Sequence, residues 1–79
     1  MASEFVMPKL GHLMEEGKVV TWCKRVGDHV ARDEILLEVE TDKATLQVES
    51  PFSGTLVEIL VEVDRTVPVG APLARYEAD

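Results

Sequence analysis

A chain of 79 residues with 15 acidic and 8 basic side chains, net charge −7, has the size of one domain with a small core. That charge balance excludes a basic stripe for nucleic acid and opposes binding to anionic membrane surfaces, and no apolar run is long enough to span a bilayer. A single cysteine, Cys23, cannot close an internal disulfide, which suits a reducing compartment; in its apolar strand pattern it reads as a small core hydrophobe rather than a nucleophile.

Short β-branched runs alternate with Gly, Pro and Asp, and no segment sustains helical spacing, so the chain reads as all-β. In order, strands are expected at residues 4–7, 18–24, 29–30, 35–41, 44–50, 55–61, 66–67 and 73–76. The opening Met1-Ala2-Ser3-Glu4 has neither a basic end nor an apolar signal core. Between Pro8 and Gly17 lies a loop, residues 10–16, with apolar Leu13 and Met14 among polar neighbours. At least one of the two is expected to pack beneath the loop, the other role being contact with a partner.

The middle of the chain folds back on itself between Asp42 and Lys43. Val39 then meets Leu46, Leu37 meets Val48, Glu38 meets Gln47 and Glu40 meets Thr45, apolar facing apolar and polar facing polar. A slip by one residue would set Val39 against Gln47, so the pattern fixes the register and puts Lys43 at a hairpin tip in solvent. Lys43 is also the sole Lys or Arg between Arg32 and Arg65, in a stretch rich in Asp and Glu. A lone cation on such a turn is easy for a modifying enzyme to single out.

Beyond the hairpin the chain repeats itself at a spacing of 37 residues: Gly17 matches Gly54, Val20 Val57, Val26 Val63, Val30 Val67, Leu36 Leu73 and Glu40 Glu77. Gly27 answers Asp64 and Asp33 answers Gly70, residue types that tolerate left-handed turn conformations. Duplication makes strand 35–41 the counterpart of 73–76, and strand 4–7 the counterpart of 44–50. Lys43 joins one such pair; at the related place the chain begins and ends. Both ends are therefore expected together, opposite Lys43. The halves differ where Pro8 to Gly17 spans nine residues and Pro51 to Gly54 spans three.

No catalytic constellation accompanies this scaffold. Ser50 and Ser53 lack a nucleophile elbow, His12 and His29 lack triad spacing, and the His and Cys residues lack zinc-ligand spacing. No phosphate or calcium loop is present. Chemistry must arrive on a side chain.

Taken together, Met7-Pro8-Lys9-Leu10-Gly11, Glu16-Gly17, Val26-Gly27-Asp28 and Glu40-Thr41-Asp42-Lys43-Ala44 resemble the lipoyl domains of the acyltransferase component of 2-oxo acid dehydrogenase complexes. The resemblance runs over residues 3–78. It implies a flattened barrel or sandwich of two four-stranded antiparallel sheets with a pseudo-twofold axis, in agreement with the repeat. It also implies an ordinary type I turn at Asp42-Lys43, where the general preference of two-residue hairpins is for primed turns and glycine. Residues 1–79 would be one module, the N-terminal one of a longer acyltransferase chain, monomeric when isolated.

By the same resemblance Lys43 carries lipoic acid in amide linkage, Asp42 and Ala44 flank it for recognition, and no metal is involved. A lipoate ligase or lipoyl transferase would install the group. The arm would shuttle acyl groups and electrons between a thiamin-diphosphate-dependent 2-oxo acid decarboxylase, the acyltransferase catalytic core and dihydrolipoamide dehydrogenase, the domain itself catalysing nothing. The loop, through Leu10, Gly11, His12, Leu13, Met14 and Glu15, is the candidate contact with the decarboxylase. The opening Met-Pro-Lys-Leu-Gly leans toward a pyruvate- or acetoin-type complex, in a bacterial cytoplasm or, had a transit peptide been removed, a mitochondrial matrix. Of the alternatives, a biotin carrier shares the architecture but usually presents Met-Lys-Met, and the glycine-cleavage carrier has additional helices. An unmodified acidic adaptor would explain the charge but not the exposed lysine.

Overall fold

The computed structural model describes residues 2–79. Eight strands, β1 (Ser3–Val6), β2 (Glu16–Trp22), β3 (His29–Val30), β4 (Ile35–Glu40), β5 (Thr45–Glu49), β6 (Gly54–Ile59), β7 (Thr66–Pro68) and β8 (Pro72–Ala78), form two four-stranded antiparallel sheets. Their orders are β1-β8-β6-β3 and β5-β4-β2-β7. Exchanging β1 for β5, β8 for β4, β6 for β2 and β3 for β7 maps one sheet onto the other, as the 37-residue repeat requires. The inner faces close on Phe5, Met7, Val19, Val30, Leu36, Leu37, Val39, Val48, Phe52, Leu56, Leu73 and Ala74, all buried.

Irregularities repeat along with the strands. Val20 is the extra residue where β2 passes β4, and Val57 where β6 passes β8; Leu36 and Leu73 play the same part on β4 and β8. The four positive-φ residues among those described are Gly27 (95°), Asp33 (75°), Asp64 (74°) and Gly70 (91°), the positions matched across the repeat.

The bulge at Val20 corrects the reading of Cys23. Alternation sends Gly17 and Val19 inward; the extra residue then shifts the phase by one, so Trp22 turns toward the core and Thr21 and Cys23 face outward. Cys23 is exposed, just past the end of β2. Trp22 packs against the core while its Nε1–H donates to the Val61 carbonyl at 2.9 Å.

Chain direction sets where the ends lie. β5 runs away from the tip, and residues 50–53 lead into β6, whose Gly54 pairs with Ala78. Asp79 N–H donates to the Ser53 carbonyl at 3.0 Å, and β1 lies beside β8 with Ser3 opposite Tyr76. Both described ends of the chain therefore sit at the far end of a molecule 34 Å long from the β4–β5 tip.

A polar clasp fastens that far end. The Asp79 carboxylate accepts from Ser53 Oγ at 2.7 Å and lies 2.9 Å from His29 Nε2. The His29 contact, then that of Ser53, holds the Asp79 carboxyl below the usual carboxylate range. A carboxyl depressed by folding adds stability that is present above its unfolded pKa, about 4, and is lost as pH falls through the folded value. Asp79→Asn is therefore expected to lower the melting temperature at pH 7, with the gap to the parent narrowing below about pH 4. Parallel melts of the two proteins across pH 2–8 would show it; a gap constant down to pH 2 would refute the clasp.

Candidate functional site

The β4–β5 hairpin has the register read from the sequence: Leu37↔Val48, Glu38↔Gln47, Val39↔Leu46 and Glu40↔Thr45. Its turn, residues 41–44, closes through Thr41 N–H donating to the Ala44 carbonyl at 2.8 Å. Neither Asp42 nor Lys43 has a positive φ, so the turn is of the unprimed kind. Thr41 adds a side-chain contribution: its hydroxyl donates to the Ala44 carbonyl at 3.0 Å, and Oγ1 lies 3.3 Å from Ala44 N and 3.4 Å from Lys43 N.

Lys43, Asp42 and Ala44 are all exposed. Among the described residues the Lys43 amine makes no ion pair, whereas Lys24 Nζ is 2.9 Å from Glu34 and Lys18 Nζ is 4.0 Å from Asp64. Glu34 has its carboxyl held below the usual range, first by Ala31 N–H and then by Lys24. Lys43 thus combines an exposed turn with an amine that no neighbour engages.

The loop between β1 and β2 stands beside this turn. Met14 N–H donates to the Gly11 carbonyl at 3.1 Å, and Leu10 N–H reaches the Met14 sulfur at 3.2 Å, drawing the loop into a compact turn. Leu10 and Met14 pack on the core, leaving Gly11, His12, Leu13 and Glu15 exposed. Leu13 is 78% exposed, so of the two apolar loop residues one packs and one is presented. Between loop and turn runs a groove of about 400 Å³, walled by residues 11–14 on one side and by residues 41–44 and Leu46 on the other. A second depression of similar size, about 400 Å³, shares Leu13, Met14, Thr41 and Asp42 with the first and is rimmed by Glu15, Glu16, Glu40 and Lys18.

No group of three or more potential metal ligands occurs among the described residues. The tip's chemical resources are the Lys43 amine, an acidic surround and a partly apolar groove. Lys43, Asp42 and Ala44 share the tip and the loop residues flank it. The sequence reading passed over Thr41; its signal was a hydroxyl residue just ahead of a two-residue turn, where such side chains bond to nearby backbone.

Residues 3–76 match the family model described as biotin-requiring enzyme. The chain is 51% identical over 74 residues to the dihydrolipoyllysine-residue acetyltransferase component of the pyruvate dehydrogenase complex of Corynebacterium glutamicum, covering 94% of this chain and 11% of that protein. The component of the same name from Mycobacterium tuberculosis is 49% identical over 74 residues, covering 94% and 13%. That of Staphylococcus aureus is 37% identical over 78 residues, covering 99% and 18%. The chain thus spans less than a fifth of these curated relatives. Among solved structures, the lipoyl domain of the 2-oxoglutarate dehydrogenase complex from Azotobacter vinelandii superposes with a TM-score of 0.75 at 31% identity, covering 94% of both chains. A single-chain, multi-domain long-chain acyl-CoA carboxylase shares the fold, with a TM-score of 0.81 at 19% identity over 99% of this chain and 7% of that one. The extent of these matches, on a doubled β-sandwich that presents a lysine on its central hairpin, shows that the chain belongs to the biotin- and lipoyl-carrier family and is a lipoyl domain, a non-catalytic carrier.

Proposed function

We propose that Lys43 is the attachment point of a lipoyl group, and that the domain carries acyl groups and electrons between the active sites of a 2-oxo acid dehydrogenase complex. One observation carries this reading: the lone cation of the Arg32–Arg65 stretch is exposed at a turn, its amine unengaged, at the end of the molecule opposite the described chain ends. Attachment needs the Lys43 amine to attack the carbonyl carbon of an activated lipoyl group, such as a lipoyl adenylate, a mixed anhydride. An amide bond forms, the ammonium Nζ gives up two protons in all, and the bond from the carbonyl carbon to the phosphate oxygen breaks, the nucleotide leaving with the electron pair. The domain becomes one unit more negative. Once in place, the group supplies a dithiolane whose S–S bond takes up two electrons and an acyl group.

What the chain contributes is presentation. A turn held by Thr41 fixes where the arm is rooted, and exposure lets several enzymes reach it. Tethering keeps the group at high effective concentration near successive sites. The enzymes visited would be a thiamin-diphosphate-dependent decarboxylase, the acyltransferase core and dihydrolipoamide dehydrogenase, after a lipoate ligase or lipoyl transferase has acted. Pyruvate is the favoured 2-oxo acid, since the relatives above belong to pyruvate dehydrogenase complexes, and their bacterial sources favour a bacterial cytoplasm. Gly11, His12, Leu13 and Glu15 form the exposed contact face for the decarboxylase, with Leu10 and Met14 supporting it from beneath.

Incubation with a lipoate ligase, lipoic acid and ATP, followed by intact-mass measurement and peptide mapping, tests the assignment. One lipoyl group on Lys43 is expected. Modification on Lys9, Lys18 or Lys24 instead, or acceptance of biotin from a biotin ligase in preference to lipoate, would overturn it.

A further inference from the structure

We infer that Thr41 is a positioning residue for modification of Lys43, its hydroxyl standing in for a backbone acceptor in the turn that presents the lysine. This rests on the attachment proposed above. A two-residue antiparallel hairpin ordinarily closes with a reciprocal pair of backbone bonds between the residues flanking the tip. Here one member of that pair is present, Thr41 N–H to the Ala44 carbonyl at 2.8 Å. In place of the other, Ala44 N–H faces the Thr41 side-chain oxygen at 3.3 Å.

A hydroxyl has one hydrogen to donate and two lone pairs to accept with. Thr41 uses all three toward the tip: the hydrogen goes to the Ala44 carbonyl at 3.0 Å, and the oxygen faces the amides of Ala44 and Lys43 at 3.3 and 3.4 Å. One atom therefore touches the backbone on both sides of the lysine's Cα. Thr41 is half-buried, while residues 42–45 are exposed, so it is the least exposed residue of the tip. Among the described residues no hydrogen bond is made by the Asp42 side chain, so the closing role does not fall to the neighbouring carboxylate.

Removing the hydroxyl leaves the tip amides to water, at little cost to a fold whose core lies elsewhere. The turn then samples more than one shape, and a modifying enzyme that reads one shape meets it less often. The effect should fall mainly on recognition of the turn and only slightly on stability.

The test compares the intact chain with Thr41→Val, which keeps the branched shape, and Thr41→Ser, which keeps the hydroxyl. Lipoylation by a lipoate ligase is followed by mass, together with melting temperature and amide hydrogen exchange. Expected for Thr41→Val is a roughly three- to tenfold fall in kcat/KM, carried mainly by KM, the range that loss of one net hydrogen bond allows. Its melting temperature should fall by no more than several degrees, the limit set by the same lost bond, exchange at Lys43 and Ala44 should be faster, and Thr41→Ser should restore the parent kcat/KM. Thr41→Val modified at the parent rate, a failure of Ser to rescue, or a loss of rate accompanied by general unfolding at the assay temperature would overturn the inference. An unmodified parent Lys43 under the same conditions would instead remove the attachment reading on which it rests.

Discussion

Lys43→Arg is expected to abolish lipoyl attachment and acyl carriage while leaving the fold as it is. Arginine keeps the positive charge and most of the length, so the acidic surround of the tip is satisfied as before. Its guanidinium, however, stays protonated at any working pH and offers no nucleophilic amine. The lysine amine makes no ion pair among the described residues and the side chain is exposed, so stability should change by no more than about 0.5 kcal/mol, the usual range for surface substitutions. Mass spectrometry after ligase treatment should find no added lipoyl group, with the melting curve superimposed on that of the parent. The other lysines do not compete on geometry: Lys24 is held by Glu34 at 2.9 Å, Lys18 leans toward Asp64, and Lys9 lies outside the central hairpin. Residual modification of the Arg variant would place the site on one of these and end the carrier reading of the hairpin. A melting temperature lowered by several degrees would show instead that Lys43 is built into the structure.

How far this hairpin could be read beforehand depended on the kind of contact involved. Cross-strand pairing follows a period of two, so the partners of Val39 and Leu37 were legible in the alternation itself. The 37-residue repeat carried the correspondence between the two halves, though not the strand orders, and it carried all four left-handed positions, because a turn that needs positive φ selects Gly or Asp in both halves. Cys23 was misplaced since the extra residue at Val20 leaves no mark on the apolar pattern yet reverses the phase after it. Thr41 left no trace in the hydropathy pattern, and its place just ahead of a two-residue turn was the one signal of a hydroxyl bond to backbone, a bond that depends on a rotamer. The meeting of His29 with Asp79, 50 residues apart, is a consequence of topology that neither residue announces locally.

Gly17 and Gly54 occupy matching places in the two halves, and substituting alanine at each is expected to give unequal losses. Neither lies in the left-handed region, so the issue is room for a methyl group, not backbone freedom. At Gly54 a Cβ would run into the Glu77 carbonyl oxygen and come within 2.9 Å of the Ala78 Cα. Those are main-chain atoms of β8 at the two residues that pair with Thr55 and Gly54 of β6, so relief requires the backbone of the sheet itself to shift. At Gly17 the obstacles are side-chain ends: Val39 Cγ1 at 2.6 Å, Met14 Cε at 2.9 Å and Met7 Cε at 3.3 Å. Methionines yield at small cost through their three rotatable bonds, leaving the stiff Val39 as the main source of strain. Gly17→Ala should therefore cost about 1–2 kcal/mol, in the range of ordinary overpacking. Gly54→Ala should cost about 3–4 kcal/mol, a large share of the roughly 4–12 kcal/mol expected of a domain this size. Denaturant midpoints at constant slope would measure both. The functional order runs the other way. Gly17 supports Met14 and hence the loop beside Lys43, so Gly17→Ala should disturb amide resonances of residues 10–16, whereas Gly54→Ala, while folded, should leave the tip untouched. Equal losses of stability, or a tip disturbed by the Gly54 change, would mean that the two ends of the sandwich are not as separate as a carrier with its arm at one pole requires.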